Sequence, residues 1–461
     1  MMHRLVAAIF AFAFCAGQLA AADCPNIIFV LADDLGYGDL GCYGQQRIRT
    51  PNIDQMAREG LRFTDFYAGS TVCAPSRCVL MTGYHTGHAL IRGNARDPLR
   101  PQDVTVAEIL QSAGYKTALC GKWGLGEAGS TGVPTKQGFD YFFGYLNQQH
   151  AHNYYPTFLW RNEERVPLKN VVPNEGSSGD GKATKRVEYS HDLVSDEALK
   201  FLDQQSAQQP FFLYLAWTAP HANNEAKQEG MEVPDLGPYA ELDWPVPAKG
   251  HAAMITRMDA DLGRVFGKLK AKGLDENTLV IFASDNGPHA EGGNKPDFNN
   301  SNGPLKGIKR DLTEGGIRVP FIARWPGKVP AGKTSGFIGS FQDIMPTFAE
   351  LAGGKGVPED CDGISIVPTL LGREDEQKQH DYLYWAFYER GGGHALREGN
   401  WKLIQQPYYS PPRLYNLAND IGEEHDLAAE QVDRVRAMLQ KMASAYRPNA
   451  AWKFPEKAGG K

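Results

Sequence analysis

Asn26-Ile27-Ile28-Phe29-Val30-Leu31-Ala32-Asp33-Asp34 is the stretch on which the fold turns. The run from Ile27 to Leu31 has no polar face, so it suits a strand buried on both sides, as in a parallel sheet with helices above and below. Comparable runs lie at Thr117 to Cys120, Phe211 to Ala216, Leu279 to Ala283 and Val319 to Ala323. Helical patterns separate them: Ile53 to Glu59, Val104 to Ala113, Ser195 to Gln204, and Met254 to Lys270 with Met254, Met258, Leu262, Val265 and Leu269 along one face. Strands alternating with helices predict an α/β fold, with a mostly parallel central sheet flanked by helices. In such sheets ligands gather beyond the carboxyl ends of the strands.

The wider chain is compatible with this reading. Its 461 residues, 42% hydrophobic and 22% charged, suffice for a large core and more than one domain. A net charge of −6 without long basic runs argues against nucleic acid as a partner, so an anionic substrate would need a local cationic pocket. His3 and Arg4, the apolar run Leu5 to Cys15 and Ala20-Ala21-Ala22 read as a signal peptide over 1–22, with a mature start near Asp23. That run is too short for a stable membrane span, and Cys15 lacks the small residues that precede a lipid-bearing cysteine. The expectation is an exported protein, periplasmic or secreted. Of seven cysteines none has zinc-site spacing; setting aside Cys15 and Cys73 leaves the odd set Cys24, Cys42, Cys78, Cys120 and Cys361, so stability rests on the core rather than on a disulfide framework.

Two strand ends carry chemistry. Asp33-Asp34 ends the first run and Asp285-Asn286-Gly287 follows the run through Ala283-Ser284. Each pair taken alone reads as a helix cap or an Asx turn. Converging at one sheet edge, three carboxylates and a carboxamide would hold a hard cation, calcium or magnesium rather than zinc.

Cys73-Ala74-Pro75-Ser76-Arg77-Cys78-Val79-Leu80-Met81-Thr82-Gly83 changes the odds. A bare Cys-x-Pro-x-Arg is a cysteine before a proline-stiffened turn, with a cation one helical turn on. The longer string resembles the signature of the type I sulfatases, members of the alkaline phosphatase superfamily. The resemblance implies that Cys73 is oxidised to formylglycine by a maturation enzyme, and that the hydrated aldehyde attacks a sulfate ester through a covalent sulfate intermediate. It also implies calcium, with magnesium the lesser alternative, held by Asp33, Asp34, Asp285, Asn286 and the modified Cys73.

Further motifs extend the resemblance over nearly the whole mature chain. Gly121-Lys122-Trp123-Gly124-Leu125-Gly126 is similar to the family's Gly-Lys-Trp-His-Leu-Gly, which makes Lys122 a sulfate-gripping residue and leaves glycine where a histidine is usual. Ala219-Pro220-His221 places His221 as the proton donor to the departing oxygen, imidazole being suited to proton exchange near neutrality. Counting back from Glu314-Gly315-Gly316 assigns the second catalytic lysine to Lys309, with Lys306 its near neighbour. Arg77, Lys122, Lys309 and the cation would neutralise charge around sulfur. His152 and His150, in the loop Asn147 to Tyr155, are candidates for lining the pocket and stand-ins for the missing histidine. His88 and Arg92, with Asn94, are candidates for sugar hydroxyls; the same residues also read as ordinary surface polarity. Asn162 to Arg186 reads as a loop excursion.

After the helix begun by Asp343-Ile344-Met345-Pro346-Thr347 the pattern changes. Tyr382 to Phe387, His394 to Arg397, Trp401 to Ile404 and Arg413 to Tyr415 read as short strands and Val432 to Tyr446 as an amphipathic helix. The expected organisation is a catalytic domain over 23–375 and, over 376–461, a small antiparallel sheet with one helix and a frayed end at Ala458-Gly459-Gly460-Lys461. Lys402 and His394 are weaker candidates for the cleft. The resemblance implies an exported hydrolase of sulfate esters, more plausibly of a sulfated carbohydrate than of a small aryl ester. Two other readings stand beside it: a phosphatase or phosphodiesterase of the same superfold, whose members normally use serine or threonine as nucleophile, and a sulfated-glycan binder in which Cys73 stays a thiol.

Overall fold

The computed structural model describes residues 24–454. The export segment over 1–22, Cys15, the start at Asp23 and the tail Ala458 to Lys461 lie outside them. A ten-stranded sheet forms the main body. At its centre Asn26–Ala32 runs parallel to Phe211–Ala216 on one side and to Thr278–Ser284 on the other. Lys116–Lys122 and Tyr141–Tyr145 continue the parallel set. Every residue of Asn26–Ala32, Phe211–Ala216 and Thr278–Ser284 is buried, as apolar runs without a polar face require.

Two cores flank the sheet. One packs Phe29, Tyr214 and Ile281 against Phe341, Met345 and Phe348, and the other packs Ile28, Leu213 and Val280 against Met258, Leu262 and Val265. The alternation of side chains along each strand sends Ile28 and Phe29 to opposite faces. None of Cys42, Cys73, Cys78, Cys120 and Cys361 is in a disulfide, so the packed cores supply the stability.

Several boundaries differ from the sequence reading. The helix expected from Met254 begins at Val246, because Pro245 and Pro247 start it on an exposed first turn that lacks an apolar stripe. The one expected from Ser195 begins at Ser190. The strand expected at Val319 to Ala323 is Phe321–Arg324 and runs antiparallel to Thr278–Ser284. The excursion after Asn162 opens with a strand, Glu164–Pro167, paired to Phe158–Arg161 as a hairpin on the sheet edge.

A second, four-stranded antiparallel sheet is built from Leu383–Phe387, Gly393–Glu398, Trp401–Gln405 and Arg413–Asn416, covered by the helix Val432–Ser444. Its seam with the main body carries buried charge. Lys402 Nζ lies 2.7 Å from Glu314 and 3.0 Å from Glu423, all three buried. Arg397 and Arg318 extend the network to Asp65. Lys402 is therefore a buried tie rather than a cleft residue, and His394 is likewise held away, bonded to Gln405.

Candidate active site

Four parallel strands end at one edge and deliver their polar residues together. Asp33-Asp34 leaves the first strand, Lys122 closes the next, His221 follows Phe211–Ala216 by a short loop, and Asp285-Asn286 leaves Thr278–Ser284. Register enforces the meeting: Ala32 pairs with Ser284, and the Asp285 amide donates to Ala32 O at 3.0 Å. Gly121 lets two of these strands approach, since a Cβ there would sit 1.9 Å from Ala216 O.

The segment Cys73 to Thr82 is a helix with every residue buried. Pro75 sits in its first turn, where a missing amide hydrogen costs nothing, and Asn94 Oδ1 accepts the otherwise orphaned Ala74 amide at 2.9 Å. Cys73 is thereby fixed at the helix start, with Sγ 3.3 Å from Asp33 Oδ1. One turn on, Arg77 forks onto Asp285 Oδ2 at 2.8 Å, reaches Asp33 Oδ2 at 3.3 Å and donates to Lys122 O at 2.7 Å.

Lys122 Nζ bonds Asp33 Oδ2, and Lys309 Nζ lies 2.8 Å from Asp34 Oδ2 and 3.0 Å from His221 Nε2. Burial pushes the Asp33 carboxyl up, but Lys122, His221, Arg77 and Lys309 together reverse this and hold it well below the usual carboxylate range. Asp285 goes the other way: burial and the charge of Asp33 push it up to about 7. Burial and the neighbouring Asp33 also raise the Cys73 thiol far above its ordinary value, so an unmodified Cys73 is a protonated thiol and a poor nucleophile.

The donors fit a hard divalent ion. Ligand atoms of Asp33, Asp34, Cys73 and His221 lie within 4.8 Å of one another. Asn286 donates through Nδ2 to Asp34 Oδ1 at 2.6 Å, whereas its Oδ1 is buried without a hydrogen-bond partner, as an oxygen kept for a cation would be. Asp34 is held at φ 64°, a left-handed conformation that a non-glycine residue keeps only where its surroundings enforce it. Three carboxylates already face three cations, Arg77, Lys122 and Lys309, so a divalent ion would leave the centre with the positive excess that a sulfate group requires.

Above this centre opens a cavity of about 310 Å³ lined by Cys73, Lys122, Gly124, Gln148, His152, His221, Lys309 and Arg310. The chain similarity of this arrangement is unambiguous. Residues 25–354 match the family model described as Sulfatase, and residues 308–448 match that of the N-sulphoglucosamine sulphohydrolase C-terminal region. The chain belongs to the sulfatase family. Like its relatives it is a sulfuric ester hydrolase. Arylsulfatase A of Homo sapiens is 32% identical over 93% of this chain and 88% of its own length. N-acetylgalactosamine-6-sulfatase of Canis lupus familiaris is 35% identical over 81% of this chain and 70% of its own length. Among solved structures, Ps i-CgsB in complex with k-i-k-neocarrahexaose superposes with a TM-score of 0.77 at 31% identity, covering 94% of this chain and 95% of that one.

Not every residue singled out from this sulfatase's sequence reaches the cavity. His88 is paired with Asp362 at 2.8 Å, and Arg92 is buried against Ala89 O and Arg447 O in the seam under the small sheet, so neither lines the cavity. His150 is fully buried between Tyr145 and Phe158. Asn94 does line the cavity, where it also caps the Cys73 helix. His152 lines it too, its ring 4.9 Å from that of His221.

Sequence reasoning missed Gln148. A Cβ at Gly124 would fall 1.9 Å from Gln148 Nε2, so this amide occupies the volume that a side chain at 124 would claim. Both its polar atoms are buried without hydrogen-bond partners. The signal available in the sequence was the glycine itself, which announces a vacated space without saying which loop fills it. Arg310, also missed, stands at φ 80° at the rim, 2.6 Å from Glu291.

Proposed function

We propose that this sulfatase removes sulfate from a sulfated carbohydrate, with formylglycine made from Cys73 as its nucleophile and calcium held by Asp33, Asp34, Asp285 and Asn286. The observation that carries the reading is the placement of residue 73 at the floor of a polar cavity, between an acidic cluster with an unused carboxamide oxygen and two buried lysines. The substrate class follows from the named activities of the relatives, one acting on N-acetylgalactosamine and one solved with a carrageenan-type oligosaccharide. Export, expected from residues 1–22, accords with extracellular glycans as substrates.

When bound, the calcium ion would supply positive charge against the sulfate oxygens. The hydrated aldehyde supplies paired hydroxyls, one to attack sulfur and one to let the carbonyl re-form, which a thiol lacks. Lys122 and Lys309 hold fixed positive charge on either side: Asp34 and its neighbours outweigh burial and keep Lys309 protonated far above neutrality. Arg77 holds Asp33 and Asp285 in place from behind. Because Cys73 is only 2% exposed, the maturation enzyme must meet this segment before the chain folds.

A screen against position-defined sulfated mono- and oligosaccharides, with matched phosphate esters, tests the reading. Sulfate release from at least one sugar, with phosphate esters turned over far more slowly, is expected; release of phosphate alone would overturn it. Calcium added to chelator-treated protein at about a hundred times its dissociation constant is expected to stabilise the fold by about 2.7 kcal/mol, read as a rise in melting temperature. An unmoved transition would refute the assigned ion. On this reading the Gln148 amide, which has no partner within the protein, donates to the sulfate group, and Gln148→Ala is expected to lower kcat/KM about tenfold or more, the loss of one hydrogen bond to a charged group. In the otherwise wild-type enzyme Gly124→His is expected to lower activity rather than raise it, because φ +87° and the Gln148 amide both oppose a side chain there.

A further inference from the structure

The hairpin of Phe158–Arg161 and Glu164–Pro167 carries side chains that the reacting centre does not use. Trp160 and Arg165 are register partners across it, so their side chains stand on one face, and Phe158, two residues before Trp160, shares that face. The Arg165 guanidinium lies 4.3 Å from the centre of the Phe158 ring and 5.2 Å from that of Trp160, which fixes a charge that an exposed arginine would otherwise leave mobile. It has these aromatic neighbours but no carboxylate partner among the described residues.

The same face walls a recess of about 90 Å³ that borders the cavity above the reacting centre. Arg96, Glu127, Leu146 and Asn147 form a wall common to both, whereas Cys73 and Lys122 line the cavity alone. With under a third of the cavity's volume, the recess suits a substituent of a bound saccharide and not a further sugar ring. Its chemistry selects the substituent. Arg96 and Arg165 bring two guanidinium groups, and Glu127, 3.9 Å from Arg96 and accepting from Asn147 at 3.2 Å, is the one carboxylate in the lining. Arg96 is aimed by neutral acceptors, donating to Gln149 at 2.6 Å and to Ser178 at 2.5 Å. One positive charge is left over, and it is that of Arg165.

Resting on the sulfated-carbohydrate reading above, we propose that this recess is a subsite for a second anionic group, a sulfate or a carboxylate on the sugar next to the one being desulfated, and that Arg165 selects for it. The planar guanidinium meets such a group with charge-assisted hydrogen bonds, while the rings of Phe158 and Trp160 cover its other side. The contact lies away from the sulfur that reacts, so it is made equally in the ground state and the transition state and acts on KM more than on kcat. The preferred substrate is then a polyanionic oligosaccharide and not an isolated sulfated sugar.

The test compares kcat/KM for three matched disaccharides built on the sulfate position that the sugar panel selects: one with that sulfate alone, one with a further sulfate on the neighbouring sugar and one with a carboxylate there. At low salt the wild type is expected to favour a doubly anionic member about tenfold or more, the worth of one hydrogen bond to a charged group, and the favoured member identifies the anion. Raising the ionic strength should shrink the preference. Arg165→Gln is expected to bring the ratio near one through a higher KM for the doubly anionic member, and Arg165→Glu to take it below one. No preference in the wild type, a ratio that both variants leave unmoved, or a loss of equal size on all three disaccharides overturns the subsite. A wild type that releases no sulfate from the disaccharides or from the sugar panel would instead overturn the sulfatase reading beneath it.

Discussion

Cys73→Ala is expected to abolish sulfate release, by at least on the order of 10⁴-fold, while the protein keeps its fold. The thiol has one polar contact, the 3.3 Å approach to Asp33, and the helix that carries it is capped by Asn94 through the Ala74 amide, which the substitution leaves untouched. The loss would thus be chemical rather than structural, and a melting curve close to that of the wild type checks this. Cys73→Ser is expected to be equally unable to turn over, since a single hydroxyl can be sulfated once but has no second hydroxyl with which to expel the product. Mass analysis of the peptide spanning Cys73 to Arg77 completes the argument. An aldehyde is expected in the active fraction, and a wholly unmodified thiol in fully active protein would refute the nucleophile.

Arg77→Met is expected to destabilise the protein by about 3–5 kcal/mol and to eliminate activity. The guanidinium is fully buried and holds Asp285 and Asp33 from behind while its third arm reaches Lys122 O. Methionine fills much of the volume but removes the ion-pair partner of Asp285, which is left facing the Asp33 carboxylate that Lys122 still holds ionised. Asp285, already pushed up to about 7 by burial and by Asp33, would then take a proton to relieve the repulsion and would cease to be a cation ligand. Arg77→Lys retains the charge without the fork and should fall between the two. Urea unfolding of the three proteins measures the series; an Arg77→Met curve overlaying the wild type would show that this ion pair does not support the centre.

The central sheet and the acidic edge were legible because they rest on local patterns: unbroken apolar runs mark strands buried on both faces, and the abrupt polar stops at Asp33 and Asp285 mark their carboxyl ends. Lys122, His221 and Lys309 were found by resemblance and do meet there. His88, Arg92 and His150 were not separable from cleft residues, because whether a loop side chain turns toward a cavity or under a neighbouring layer is decided by tertiary packing. Arg92, for instance, is taken by two backbone carbonyls, one of them Arg447 O from beyond the last helix. Gln148 was invisible for the converse reason: its role is defined by a missing side chain elsewhere. The start of the long helix at Val246 was masked by a first turn with Val246 exposed and no apolar stripe to betray it.

The buried charged seam at Lys402 has a consequence for inheritance of function along the chain. Glu314, which Lys402 clasps, is five residues from Lys309, and the intervening stretch is pinned twice more, by Gln406 receiving the Leu312 amide and donating to Arg310 O. The small sheet thus acts as the jig that sets one of the two working lysines, so changes there would surface as poor catalysis in an enzyme whose reacting residues are all intact.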